Sequence, residues 1–330
     1  MTLFAPLLVA VGSLLAVWAG SFLVEALRSA PQAPAAMPWD TRIKPVYVRV
    51  DGVQLRYMRV GDGPVLVLLH TLRTQLDLFH KAIPELARDF TVYAVDYPGH
   101  GYSDIPVGAY DADFFVRHVT GFLEALDLTD VTLCGVSIGA SISLIIAARR
   151  NPRVTRIIPI NAYDYAGGKG LARSSPSGRV LVRLAAIPFV GETIMRLRNY
   201  AIMKAVLTGG VADPKSIAPA LMKEMYRVGN RPGHYRGFLS LLRNSSSWER
   251  ARSEYSRIRV PTLMIWGADD WSLPEERRDD VSLVPGGRAA TVPTGGHFLP
   301  LDSPGDVIRH VREVSTSRAN ELLPPRGNPQ

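Results

Sequence analysis

The sequence predicts an α/β fold in which a mostly parallel sheet of eight strands carries helices on both faces, with a helical insertion before the last two strands. Eight short apolar runs recur between residues 46 and 293. Most of those after residue 63 are continuous rather than alternating in polarity, which is typical of strands buried on both faces of a parallel sheet. Segments with helix-period apolar residues lie between them. The interval 163–250 contains helix-like pieces and no convincing strand.

The chain begins with an apolar segment, residues 3–24, that contains no charged residue. At about 1.5 Å per residue, it is long enough to cross a hydrocarbon core of about 30 Å. Positive charges follow this segment and none precede it, which places the globular part on the cytoplasmic side. We therefore expect residues 1–27 to be a membrane anchor, followed by a Pro/Ala linker at 28–39. A signal cleaved within 29–37, giving a secreted or periplasmic protein, is the alternative.

The predicted strands set the limits of the core, 40–162 and 251–317, and leave 318–330 as a flexible tail. In chain order, the runs are VYVRV, VQLRYMRV, PVLVLLH (64–70), FTVYAVDY (90–97), VTLCGVS (131–137), VTRIIPINA (154–162), PTLMIWG (261–267) and AATVP (289–293).

A serine lies between two glycines where the run 131–137 passes into the apolar stretch ASISLIIAARR. Gly135 and Gly139 flank Ser137 at two-residue spacing, so small residues stand where a tight strand-to-helix turn would bring side chains against the backbone. Since the required strand precedes and the required helix follows, the motif predicts that Ser137 is a nucleophile rather than a small residue in a turn.

A serine nucleophile needs a base to take its proton and an acid to orient that base. Two histidines lie near the end of the chain. His297 follows the last predicted strand in a loop and is the candidate base, whereas His310 falls in a helical pattern and is expected at the surface. Asp269 and Asp270 follow the strand 261–267, and one of them should face His297.

These features together resemble the capped α/β-hydrolases, which include epoxide hydrolases, haloalkane dehalogenases, lactonases and carbon–carbon bond hydrolases. The motifs that carry the resemblance are the elbow, DYPGHGYSD (96–104), IWGADDWSLP and GGHFLPLDSP, and the similarity covers about residues 45–315. It implies that residues 163–250 form a helical cap and that Asp270 is the acid, with Asp269 as the alternative. Since Ser137 stands where epoxide hydrolases and dehalogenases carry an aspartate, it also implies acyl chemistry.

The resemblance further implies an oxyanion hole made of two backbone N–H groups. One belongs to Ile138 and the other, by position, to Leu72 in the loop that follows residues 64–70. Relatives usually have glycine where this chain has Thr71, so we expect a restricted and unusual loop. Arg73 either forms a structural ion pair, which we favour, or meets an anionic group of the substrate.

Five further residues are candidates for lining the pocket: His70, Thr71, Trp266, Trp271 and His100. Asp96 is expected to brace its own turn rather than to act as an acid. No histidine, cysteine or aspartate cluster has metal-ligand spacing, and no glycine loop of nucleotide-binding type follows a strand, so neither metal nor cofactor is expected.

The net charge of +8 is concentrated, because residues 163–260 hold 17 Lys and Arg against 6 Asp and Glu. This excess fits an anionic membrane surface, anionic substrates or a solvated helical surface. No nucleic-acid-binding motif accompanies it, so no nucleic-acid partner is expected. The single cysteine, Cys134, lies in a predicted strand and is expected to be a buried thiol.

The sequence thus predicts a serine hydrolase that acts through an acyl-enzyme on an apolar ester, thioester or lactone. The sequence leaves two alternative functions open. The protein could be a ligand-binding relative without turnover, because the loop around Thr71 departs from the pattern. It could also transfer the acyl group to an acceptor other than water, as acyltransferases and haloperoxidase-type perhydrolases do.

Overall fold

The computed structural model describes residues 4–316, so the predicted tail at 318–330 and the last predicted core residue, 317, lie outside it. Its centre is an eight-stranded sheet with the spatial order β1-β2-β4-β3-β5-β6-β7-β8. The strands are β1 (Val46–Val50), β2 (Val53–Val60), β3 (Val65–Leu69), β4 (Thr91–Val95), β5 (Val131–Val136), β6 (Val154–Ile160), β7 (Leu263–Gly267) and β8 (Arg288–Val292).

The predicted fold class is confirmed. Strand β2 pairs antiparallel with β1 and with β4, and the other neighbours are parallel. The continuous apolar runs are the central strands, and every residue of β5 and β7 is buried. In a parallel sheet the carboxyl ends of the strands lie at one edge, which brings the loops after β3, β5, β7 and β8 together there.

Helices cover both faces of the sheet, as predicted. They are α1 (Phe4–Ala26), α2 (Ile83–Leu86), α3 (Ala112–Ala125), α4 (Ile138–Ala148), α5 (Pro176–Ala185), α6 (Val190–Arg196), α7 (Tyr200–Thr208), α8 (Pro219–Gly229), α9 (His234–Arg243), α10 (Ser246–Ala251), α11 (Pro274–Leu283), α12 (Leu299–Asp302) and α13 (Pro304–Thr316).

The insertion between β6 and β7 is helical. Every residue from 163 to 250 is described, and none lies in a strand. Helices α5 and α7 begin at side-chain caps, since Ser175 accepts from the Gly178 N–H and Asn199 from the Ile202 N–H, which satisfies amides that a first helical turn leaves free.

Helix α1 is long and apolar enough, by length and composition, to cross a membrane. Its side chains are largely exposed, and the last turn is tied to the insertion. Glu25 pairs with Arg198 at 2.7 Å and with Arg28 at 3.0 Å, and it accepts from the Gly233 N–H at 2.9 Å. The segment after α1 also packs on the core, where Met37 is fully buried.

Candidate active site

Ser137 lies in a strained turn between β5 and α4. Its φ of 59° and ψ of −117° are unusual for a residue with a side chain. A Cβ on Gly135 would lie 2.1 Å from the carbonyl oxygen of Gly139, and a Cβ on Gly139 would lie 2.3 Å from that of Leu69. The two glycines therefore allow the tight turn and its close contact with the end of β3.

The structure brings Ser137, His297 and Asp270 into one hydrogen-bonded row. His297 Nε2 lies 2.8 Å from Ser137 Oγ, and His297 Nδ1 lies 2.6 Å from Asp270 Oδ1. Asp269, the alternative acid, is exposed. His310, expected at the surface, is instead buried in α13, because its helix turns this side towards the core, and it lies near Glu313.

The Asp270 carboxylate is held in its charged form. Its second oxygen accepts from the Ser272 N–H at 3.0 Å and from the Ser272 hydroxyl. Burial alone would raise the pKa of Asp270, but His297 and Ser272 together hold that pKa below its usual value. A carboxylate fixed in this way can orient an imidazole and stabilise its protonated form.

Asn161 holds the loops of this site together, and the sequence reasoning missed it. The side chain is fully buried and follows β6. Its Nδ2 donates to the carbonyl oxygens of Gly296 and His297, both at 3.0 Å, while its Oδ1 accepts from the Gly267 N–H at 2.9 Å. Asn161 thereby links the ends of β6 and β7 to the histidine loop.

The two tryptophans proposed for the pocket lie in different places. The Trp271 ring stacks on His297 with centres 3.7 Å apart and 12° between planes, and its Nε1 donates to the Gly209 carbonyl of the insertion. Trp266 lines a hollow with Pro274 and Val281 of α11 instead. β7 thus directs this side chain towards α11, whereas Trp271 lies against His297.

The loop after β3 packs against the elbow without the strain expected from Thr71. The φ of Thr71 is not positive, and Arg73 takes the left-handed position of this loop, with φ of 61°. The Thr71 hydroxyl is buried and has no hydrogen-bond partner among the described residues. Leu72 is buried in the same loop, and Ile138 begins α4 directly after Ser137.

Three buried histidines extend from this loop into the insertion. The ring centre of His100 lies 5.4 Å from that of His70 and 6.3 Å from that of His234. Burial lowers the pKa of His70 to about 4 and of His100 to about 3, and it also lowers the pKa of His234 well below its usual value. All three are neutral at pH 7. Within residues 4–316, no group of three His, Cys, Asp or Glu could hold a metal ion.

Asp96 braces its turn, as expected. Its carboxylate accepts from the Arg56 guanidinium at 2.5 Å, from the Leu76 N–H at 2.8 Å and from the Tyr102 N–H at 3.0 Å. These bonds join β2, the segment before α2 and the turn after β4. Since both carboxylate oxygens of Asp96 accept these hydrogen bonds, Asp96 is not available as a second acid.

The chain belongs to the alpha/beta hydrolase fold family, whose sequence profile matches residues 64–304. Named relatives include epoxide hydrolase 3 of Xenopus tropicalis, 24% identical over 88% of this chain and 83% of that protein. The 2-hydroxy-6-oxo-2,4-heptadienoate hydrolase of Pseudomonas putida is 26% identical over 81% and 94%. The enol-lactonase structure from Burkholderia xenovorans is similar with a TM-score of 0.68 and 25% identity, covering 82% of this chain and 100% of the other.

These relatives support a hydrolase that acts on a small molecule. The comparisons extend across the sheet and the helical insertion, since each spans at least four fifths of this chain. They differ among themselves in the bond that their names describe, so the bond cleaved by this protein has to be argued from its own site.

Proposed function

We propose that this protein is a serine hydrolase that cleaves an ester, thioester or lactone through an acyl-enzyme. The observation that carries the proposal is the row of hydrogen bonds from Ser137 Oγ through His297 to Asp270. Such a row activates a hydroxyl that would be a poor nucleophile alone. The strained elbow, which presents Ser137 at the carboxyl edge of the sheet, supports the same role.

In this mechanism, Ser137 Oγ attacks the acyl carbon while His297 Nε2 takes its proton. Asp270 keeps the imidazole oriented, and the Trp271 ring stacks on its face. The N–H groups of Ile138 and Leu72 are the proposed donors to the oxyanion. His297 then protonates the leaving oxygen or sulfur, and water attacks the acyl-enzyme with the same histidine as base.

Ser137 and His297 are both fully buried. Reaction therefore requires the insertion to move away or a passage to widen, and closure afterwards would exclude bulk water from the acyl-enzyme. The serine also distinguishes the proposed reaction from the opening of an epoxide. A serine that attacks an acyl carbon forms an ester with the substrate, and water readily cleaves that ester at the same acyl carbon.

A fluorophosphonate probe tests this proposal. We expect the wild type to be labelled and to hydrolyse medium-chain p-nitrophenyl esters, and S137A to lose both the label and at least a thousandfold in kcat/KM. The matched control is S143A, which removes another buried serine of α4 that bonds only to the Ala140 carbonyl. Labelling of S137A at the wild-type rate would disprove the assignment.

We also propose that α1 anchors the protein in a membrane, with the folded part on the cytoplasmic side. Continuous with α1 is an apolar rim of the insertion, Ile187, Pro188, Phe189 and Val190, in which Phe189 is 72% exposed and holds a positive φ of 63°. Helices α1 and α6 enclose an apolar groove of about 520 Å³. An exposed apolar patch next to such a helix fits a lipid leaflet. Recovery of the intact protein in a high-salt wash would contradict the anchor.

A further inference from the structure

A small apolar cavity lies between the insertion and the loop that follows β3. Its volume is about 40 Å³, and its apolar lining comes from helices α5, α6, α7 and α9. Leu181, Ile194, Met203 and Phe238 are among the lining residues, and Arg73 is the residue that the β3 loop contributes. Arg73 directly follows Leu72, the proposed oxyanion donor, in the chain.

The Arg73 guanidinium carries a charge that nothing nearby neutralises. Across residues 4–316, no carboxylate lies within ion-pair distance of it. Its Nη1 donates to His234 Nδ1 at 3.2 Å, and its central carbon lies 4.7 Å from the centre of the Phe238 ring. His234 is neutral, so both contacts orient the guanidinium without cancelling its charge. The expected structural ion pair of Arg73 is therefore wrong.

The surroundings of Arg73 increase this excess of positive charge. Arg198 also lines the cavity, but it pairs with Glu25, which is shared with Arg28. Burial, followed by the charges of Arg198 and Arg28, lowers the pKa of Arg73 to about 9. The group remains protonated at neutral pH. Arg73 is partly buried. A cation withdrawn from water without an anion is costly, and an anionic ligand would offset that cost.

We propose that this cavity is a subsite for the carboxylate of an apolar acyl substrate or of its product. One planar guanidinium fits one planar carboxylate through paired N–H···O bonds, and the apolar lining of the small cavity would contact the first carbon of the adjoining chain. The inference rests on the proposed function for its reaction: the substrate is an ester, thioester or lactone whose acyl chain also bears a free carboxylate. Binding of the carboxylate itself needs no turnover.

The test compares two ligands of nearly equal shape, hexanoate and hexanamide, which differ in charge. Affinities are measured by calorimetry on the full chain in detergent micelles. We expect the wild type to prefer hexanoate about tenfold or more, since hydrogen bonds to charged groups are the stronger class. R73M should abolish that preference, and R73K should restore it only in part, because lysine lacks the fork geometry.

The matched control is R179M, which removes the same charge from the exposed side of α5. It should retain the preference, and a loss equal to that of R73M would mean that the effect is only one of general charge. Equal affinity of the wild type for both ligands overturns the subsite without recourse to any variant. Because neither ligand has a scissile ester, failure of S137 labelling would disprove the serine mechanism and leave this result standing.

Discussion

Two regions of the molecule differ in whether their polar and charged groups find partners within the chain. One is the carboxyl edge of the sheet, where Ser137, His297 and Asp270 lie, and the other is the insertion that covers it. At the edge, Asn161 uses both ends of its amide, Asp270 uses both oxygens, and Gly135 and Gly139 leave no space for a Cβ. The insertion instead exposes apolar side chains around Phe189, and it covers Arg73 of the β3 loop, a partly buried cation without a carboxylate partner among the described residues. The edge is organised before any ligand binds, whereas the insertion presents the groups that our proposals assign to a lipid leaflet and to an anionic ligand.

The largest expected effect comes from filling space at the edge. In G139A the added Cβ would meet the backbone oxygen of Leu69, which is fixed in a buried strand end. We expect a loss of roughly 3 kcal/mol or more in the free energy of unfolding, measured by urea denaturation in detergent.

The control is G20A in α1, where a Cβ meets nothing within 4 Å. It should change the free energy of unfolding by less than about 1 kcal/mol, since alanine favours a helix and no packing is altered. Equal losses of stability in G139A and G20A would contradict the claim that the edge of the sheet is tightly packed around Gly139.

Removing the Asn161 amide tests whether the edge depends on its own hydrogen bonds. N161A leaves two carbonyls and one N–H unpaired around His297, so the imidazole loses its fixed position. We expect kcat on p-nitrophenyl esters to fall about 10- to 100-fold with a smaller change in KM, and fluorophosphonate labelling to slow equally.

N161D separates position from stability. An aspartate can still accept from the Gly267 N–H but cannot donate to the carbonyls of Gly296 and His297, so its kcat should also fall. Its pH profile should be altered as well, because a new carboxylate lies beside the histidine loop. A kcat equal to that of the wild type in both variants would mean that Asn161 serves folding alone.

The sequence predicted the features of the site that depend on local backbone. The elbow needs glycines at two fixed offsets from Ser137, and this pattern is visible in a short window. Asn161 could not be found in that way, since its partners lie more than 100 residues further along the chain. Trp266 and Trp271 looked alike as aromatic neighbours of the acid loop, but a strand residue and a loop residue need not face the same way. Thr71 was expected to strain its loop, and the positive φ falls on Arg73 instead.

Acid should destabilise the boundary between the two regions through its buried histidines. In the unfolded chain an imidazole has a pKa near 6.5, whereas burial lowers the pKa of His70 to about 4 and of His100 to about 3. Between about pH 6.5 and 4 the unfolded chain therefore binds more protons, and stability falls as the pH falls. Each histidine contributes up to about 1.4 kcal/mol per pH unit.

The variant H100N removes one of these titrations. Urea unfolding of the full chain at several pH values should show a slope smaller by about 1.4 kcal/mol per pH unit, with the difference confined to the acid side of pH 6.5. The same slope in H100N and in the wild type would mean that His100 accepts a proton inside the folded protein.

An environment-sensitive dye attached to the rim tests whether the insertion contacts lipid. Labelling at this exposed position should change stability least of all the variants. The native Cys134 is buried, and burial raises the pKa of its thiol to about 12, so it should not react. F189C can then be labelled alone, as can V107C, whose position on the core is 94% exposed. In phosphatidylglycerol-containing vesicles, the dye at 189 should shift to the blue and resist aqueous iodide, while the dye at 107 should do neither. Equal quenching at both positions would place the rim in water and leave α1 as the membrane contact, because the rim would then have no apolar partner.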